Sequence, residues 1–377
     1  MGRGYRILVR PLLRLMDSER AHRRTLRGLR WVSSNPVGRT MLRWMYSPAS
    51  NLKVEMFGTS YKHPFGLAAG MDKNAEAIRG WPCLGLSFIE IGGVTMLSQD
   101  GNPRPRMFRA NKAQALVNRM GFNNGGSEAV AVRLDRYFKR YGRPPIPLWV
   151  NLGKSKLTSL DDAPMDYATT MERLWAYTDV FVINVSSPNT PHLRDLQNDD
   201  GLIRILAACH GVNKKQSEFT HTPLKPLLVK IAPDLTSDQL RHVVETSHKH
   251  GANGIVVCNT TVERPSTSIA SEQRVFDQTG GLSGRPLAQR STGMIREVRR
   301  MVGPDWPIVG VGGIDSADIA WQKILAGATL LQAYSGFVFE GPSLCKSIVK
   351  GLEQRLSDSG FSTIQEAVGK AVNEEGC

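Results

Sequence analysis

The 377-residue chain is 41% hydrophobic and 22% charged, which excludes a disordered segment or a miniature scaffold and leaves two or three ordinary domains or one large barrel. Its five cysteines, Cys83, Cys209, Cys258, Cys345 and Cys377, show no Cys-x-x-Cys spacing, so neither a disulfide framework nor a zinc site is expected. No apolar run approaches the roughly 18 residues of a spanning helix, and the net charge of +14 is uneven, with eleven Arg and two acids in residues 1–43 against 37 basic and 32 acidic residues thereafter.

In that first stretch Arg6, Arg10 and Arg14 recur every four residues while Leu8, Leu12 and Leu15 mark another face, the pattern of a membrane-surface helix. Pro11 argues against one unbroken helix. A second helix is predicted from a cap at Asp17 or Ser18, with His22, Leu26 and Leu29 on one face, and a third from Asn35 as cap and Pro36 in its first turn. Residues 1–46 thus read either as an Arg-rich transit peptide or packed hairpin, or as a docking element. Three successive amphipathic segments favour docking. Residues 52–64, around Gly58-Thr59, predict a hairpin that closes the bottom of a barrel starting at residue 65.

From residue 65 onward, eight strands are predicted to begin near Phe65, Ser87, Leu148, Val180, Leu227, Gly254, Pro307 and Leu330. Each is an almost continuous apolar run followed by a helical stretch, which implies a parallel sheet buried on both faces and closed as a (β/α)8 TIM barrel. A doubly wound open sheet is the alternative. Long insertions after the second, fourth and sixth strands are expected to roof the strand ends. Residues 47–356 form this barrel domain, 1–46 a helical extension and 357–377 a tail without assigned role.

The carboxyl ends of barrel strands build active sites. Here they supply amides and glycines, among them Asn151, Asn184, Asn189 and Asn259, with Glu90 as the one carboxylate. A metal centre or paired-carboxylate mechanism finds little support in that set. Neutral amides suit a planar ligand with several donors and acceptors. Gly312-Gly313, before a helix start at Asp315-Ser316, has the form of a phosphate-holding turn that Tyr334-Ser335-Gly336 completes. Lys230 then offers fixed charge to the ring of a phosphorylated cofactor.

These motifs resemble the class 2, membrane-associated dihydroorotate dehydrogenase family. The matching stretches are Leu67–Lys73, Gly101–Arg106, Asn118–Asn124, Asn184–Thr190, Asn259–Thr261 and Gly280–Pro286, in family order across most of residues 5–350. Asp17–His22 is also similar to the family's quinone-site helix. The resemblance implies FMN held by Ala68, Ala69, Gly70, Asn151, Asn184, Lys230, Ser283, Gly284, Gly312, Gly313, Tyr334 and Ser335. It implies substrate bound by Lys73, Asn118, Gly121, Phe122, Asn123, Asn184, Asn189, Asn259 and Thr260, and a quinone site at His22, Arg109 and Tyr334. Ser187 is implied as the base that takes a proton from C5 of dihydroorotate while hydride leaves C6 for the flavin, which then reduces quinone.

Outside this motif Ser187-Pro188 reads as an ordinary turn, and Asn118 and Asn123 as turn residues around Gly121. Gly93 replaces a family Ser or Thr hydroxyl, Met96-Leu97-Ser98 a proline-flanked stretch, and Arg285 stands where Lys is also common. The soluble class 1 enzymes use Cys as base and lack the N-terminal helices. A flavin barrel acting on RNA would spread its basic surface around the site, whereas this charge is terminal. The expected partners are dihydroorotate or orotate, quinone and membrane lipid, without nucleic acid. Expected localisation is the mitochondrial inner membrane in a eukaryote or the cytoplasmic membrane in a bacterium.

Overall fold

A computed structural model describes residues 4–49, 52–190, 193–197 and 199–372. Eight parallel strands close a barrel: Phe65–Leu67, Ile89–Val94, Leu148–Leu152, Val180–Asn184, Leu227–Ile231, Gly254–Val257, Ile308–Val311 and Leu330–Ala333. Each pairs with the next in chain order, and the eighth returns to the first through Leu331 beside Phe65 and Ala333 beside Leu67. Six begin at the predicted residue. The second and seventh start slightly later, at Ile89 and Ile308.

Every residue of the first and third to fifth strands is buried, as expected of strands covered by side-chain layers inside and helices outside. The hairpin Val54–Met56/Thr59–Tyr61 turns at Phe57-Gly58, both with positive φ. It brings Tyr61 edge-on to Phe88 and Trp149. These aromatics plug the barrel bottom.

The expected roof is assembled from two of the three insertions. Met107–Ala110 and Ala115–Asn118, after the second strand, pair antiparallel with each other, and Ala115–Asn118 pairs antiparallel on its other edge with Gly281–Gly284, after the sixth. The third insertion departs from the expectation. After the fourth strand, most of the extra length is spent on the 22-residue helix Asp199–Thr220, an ordinary outer-ring element.

At the N-terminus a π-turn, Tyr5–Val9, runs into Arg10–Arg14 with Pro11 in the first turn of the latter. Asp17 caps Ser18–Val32 by accepting from the Arg20 amide at 3.0 Å, and Asn35 caps Pro36–Tyr46 by accepting from Gly38 at 2.7 Å. Both caps follow the sequence pattern. No helix of the described residues is long and apolar enough to cross a membrane. The proposed boundary at 356 falls inside helix Leu344–Ser359. Residues beyond it pack back on the barrel helices, with the Val372 carbonyl accepting from Arg300 at 2.9 Å and Gly369 donating to Ile324 at 3.0 Å. Cys83, Cys209, Cys258 and Cys345 are free and buried, while Cys377 lies outside the described residues.

Candidate functional site

The strand ends and the roof sheet enclose a cleft of about 150 Å³, placed where barrel active sites lie. Ala68, Ala69 and Gly70 enter it from the first strand, Asn184 and Ser187 from the fourth, and Lys230 from the fifth. Asn259 and Thr260 follow the sixth strand, Gly312 and Gly313 the seventh, and Tyr334 and Ser335 the eighth. Lys73, Asn118, Gly121, Phe122, Asn189 and Ser283 complete the expected residues on its wall.

Three expected residues lie off that wall. Asn151 is fully buried one layer below, Asn123 packs near Gly101, and Gly284 serves the roof: a Cβ there would come within 2.2 Å of the Gln114 carbonyl oxygen. Conversely, Met120, Cys258, Leu287 and Gln332 line the cleft without an expected role, and Gly93, which stands where the family offers a hydroxyl, lines it as well. For Gln332 the sequence carries a signal, a lone amide inside the apolar, fully buried strand Leu330–Ala333. At Gly93 the ring of Phe122 occupies the space a side chain would need, 2.7 Å from an added Cβ.

A chain of amides organises the floor. Glu90, fully buried, accepts from Asn151 Nδ2 at 2.7 Å and from Gln332 Nε2. Because a carboxylate only accepts, both amides must turn their NH2 groups to it. Asn151 Oδ1 then accepts from Asn184 Nδ2 at 2.9 Å, and Asn184 Oδ1 accepts from Asn259 Nδ2 at 3.3 Å and Ser186 Oγ at 2.9 Å. Gln332 Oε1 remains buried without a partner. Such an orphaned acceptor costs about 1–3 kcal/mol unless a ligand donor meets it.

Ser187 is 7% exposed, and its Oγ accepts from the Asn189 amide at 3.3 Å. Asn189 is itself held by Asn118, which accepts from its side chain at 3.3 Å. No His or carboxylate hydrogen-bonds Ser187 among the described residues. Lys230 is 5% exposed, and its ammonium has no hydrogen-bond or ion-pair partner among them either. Lys73 donates to the Gly70 carbonyl at 3.0 Å, and burial lowers its pKa to about 8. Its loop is pinned by buried Asp72, which accepts from Glu76, Ala77 and Trp81.

A second cavity, about 280 Å³, lies between the N-terminal helices and the barrel. Leu26, Leu29, Leu42, Met71 and Leu84 make it apolar, with His22, Arg109 and Tyr334 as polar points. Arg109 donates to the carbonyl of Leu13 at 3.0 Å and also to that of Met16. The His22 ring stacks near Tyr334, centroids 6.4 Å apart and planes 13° from parallel. Burial first, then the charge of Lys73, pushes its pKa down to about 3, so the imidazole is neutral at pH 7. Among the described residues Tyr334 alone lines both cavities, which makes it the partition between a polar cleft and an apolar chamber.

The helix carrying His22 is fastened by Glu19. Its carboxylate takes both arms of the Arg106 guanidinium, at 2.8 and 2.9 Å, and Arg104 at 3.2 Å. The Arg106 hydrogen bonds, opposed by burial and aided by the charges of Arg106 and Arg104, lower the Glu19 pKa to about 2.

A family model described as "Dihydroorotate dehydrogenase" matches residues 51–356. Among curated proteins, the chain is similar to "Dihydroorotate dehydrogenase (quinone)" of Gloeobacter violaceus, 46% identical over 97% of this chain and 98% of that protein. It is similarly related to the protein of the same name from Streptomyces griseus, 43% identical over 98% and 99%. Among solved structures, Eimeria tenella DHODH in complex with ferulenol superposes with a TM-score of 0.79 at 34% identity, covering 89% of this chain and 96% of that one.

Proposed function

The chain belongs to the dihydroorotate dehydrogenase family, and from that premise we propose that it oxidises dihydroorotate to orotate in pyrimidine biosynthesis and passes the electrons to a quinone. The observation that carries this reading is the single shared wall at Tyr334. A polar cleft suited to a small planar anion and an apolar chamber suited to a quinone meet there and nowhere else among the described residues.

The residues of the cleft fit FMN. A Cβ on Gly312 would meet Ser291 at 3.0 Å and one on Gly313 would meet Ala288 at 2.6 Å, so the loop lies directly on the start of helix Ala288–Val302, an arrangement that favours phosphate. Gln332 Oε1 awaits a donor, and Lys230 presents an unpaired ammonium. Ala68, Ala69, Gly70, Asn184, Ser283, Tyr334 and Ser335 would supply the remaining wall. When bound, FMN supplies an electron acceptor for the substrate and an electron donor for the quinone.

The chain's own residues do the rest. Lys73 offers charge to the substrate carboxylate, and Asn118, Asn189 and Asn259 present amides to the ring edges. Gly121 and Phe122 close the pocket over the ring, and Thr260 adds a hydroxyl. Ser187 takes the proton from substrate C5. A serine hydroxyl is a weak base, so Ser187 passes its own proton to water as it takes the one from C5, and the Asn189 amide pointing at its Oγ stabilises the alkoxide character this loss confers. Neutral His22, Arg109 and Tyr334 form the polar end of the quinone chamber.

Peripheral membrane docking accompanies this function. Leu15, Trp31, Val37 and Trp44 are each more than three-quarters exposed on Arg-rich helices, the composition of an interfacial element. Steady-state turnover of dihydroorotate with quinone, fumarate or NAD as acceptor tests the proposal. Turnover with quinone alone is expected, and equal rates with fumarate or NAD would reject it.

A further inference from the structure

A phosphomonoester carries between one and two negative charges near pH 7, yet among the described residues the cations on the cleft wall are Lys73 and Lys230 alone. Neither belongs to the seventh or eighth strand end, where the glycine loop lies. A third cation sits beneath that loop. Lys323, on helix Ala317–Leu325, is 0% exposed. Its ammonium donates to Ser291 Oγ at 2.8 Å, Thr292 Oγ1 at 3.0 Å and the Ala288 carbonyl at 3.2 Å.

Two of these partners also support the loop. Ser291 and Ala288 are the residues that Gly312 and Gly313 press against, and Ser291 Oγ donates onward to the carbonyl of Val311. No carboxylate pairs with Lys323 among the described residues. Asp315, just beyond the loop, is engaged by Arg285 at 2.8 Å. Cys258, the one titratable neighbour that acts on Lys323, is itself pushed up to about 11 by burial and is a neutral thiol. A lysine buried among neutral groups is rare and costly unless a counter-ion arrives.

Resting on the FMN reading above, we propose that Lys323 is the buried counter-charge of the cofactor phosphate, acting through Ser291 and the glycine loop. It is a positioning residue, one layer behind the ligand. Without an anion, burial holds its pKa down to about 7. A phosphate above it raises that pKa, so binding takes up a proton, and affinity falls as pH rises above 7. A lysine that merely ties two helices together would show no such preference for a phosphorylated ligand.

The test compares FMN with riboflavin, which has the same ring and ribityl chain without the phosphate. Each is titrated into the full chain freed of flavin, between pH 6.5 and 9, by flavin fluorescence. For the native chain the FMN Kd should rise by up to about tenfold per pH unit above 7, while the riboflavin Kd does not follow it. Lys323→Met should weaken FMN by about tenfold or more near pH 7, abolish that slope and leave riboflavin unchanged. Equal losses for both flavins would make Lys323 a packing residue and overturn the proposal. So would native FMN binding with the same pH profile as riboflavin, a measurement that stands even if the variant fails to fold. Failure of the native chain to bind either flavin would instead reject the FMN reading itself, and the proposal with it.

Discussion

In the proposed reaction Ser187 and Lys73 divide the work in the cleft, and their surroundings predict different failures. Ser187→Ala removes the proposed proton acceptor while leaving the Asn118–Asn189 hydrogen bond in place. Turnover should fall by about two to four powers of ten with orotate affinity retained, as measured by stopped-flow reduction alongside orotate binding. Ser187→Cys should recover part of the rate at higher pH, because thiolate is the stronger base. Lys73 gives a pH signature. It is protonated below its pKa of about 8, and a bound carboxylate raises that value, so KM for dihydroorotate should climb as pH rises above 8. Lys73→Met should raise KM throughout and flatten the profile; an unchanged profile would assign the charge elsewhere.

At the scale of elements, the helix Ser18–Val32 depends on one carboxylate. Glu19 is 5% exposed and grips Arg106, itself 4% exposed, so Glu19→Gln leaves a buried guanidinium short of its counter-ion. The variant should lose quinone-dependent turnover before substrate-dependent flavin reduction. The sign of the pH effect follows from the depressed pKa. The stabilisation by Glu19 is complete above about 4.5, its ordinary value, and is lost as pH falls toward about 2. Proteolysis of the N-terminal helices should therefore accelerate below pH 4 in the native chain and show no such step in the Gln variant.

The barrel strands were legible because burial on both faces writes continuous apolar runs, such as Val180–Ile183. The roof strands were not. Met107–Ala110 and Gly281–Gly284 are four residues long and carry Arg109 and Ser283, and Gly281–Gly284 finds its partner, Ala115–Asn118, far away in the chain. The caps at Asp17 and Asn35 were legible from local chemistry. His22, Arg109 and Lys73 were indicated by family likeness, since helical or strand periodicity alone does not distinguish a cavity-facing polar residue from a solvated one. Lys323 has no local signal at all, because its role emerges only when two helices and a glycine loop converge.

At the scale of the whole molecule, a closed barrel carries the cleft, and a helical extension laid against it creates the apolar chamber. All eight barrel strands lie outside residues 1–46, so the two halves of the reaction should be separable. The most direct test follows flavin absorbance in stopped flow for the full chain and for a chain lacking residues 1–46, first on mixing with dihydroorotate and then with a long-tailed quinone. Both should be reduced at similar rates, and only the full chain should be reoxidised rapidly, with a smaller difference for a short soluble acceptor. Reoxidation of the shortened chain by long-tailed quinone as fast as the full chain would contradict the assignment of the second cavity.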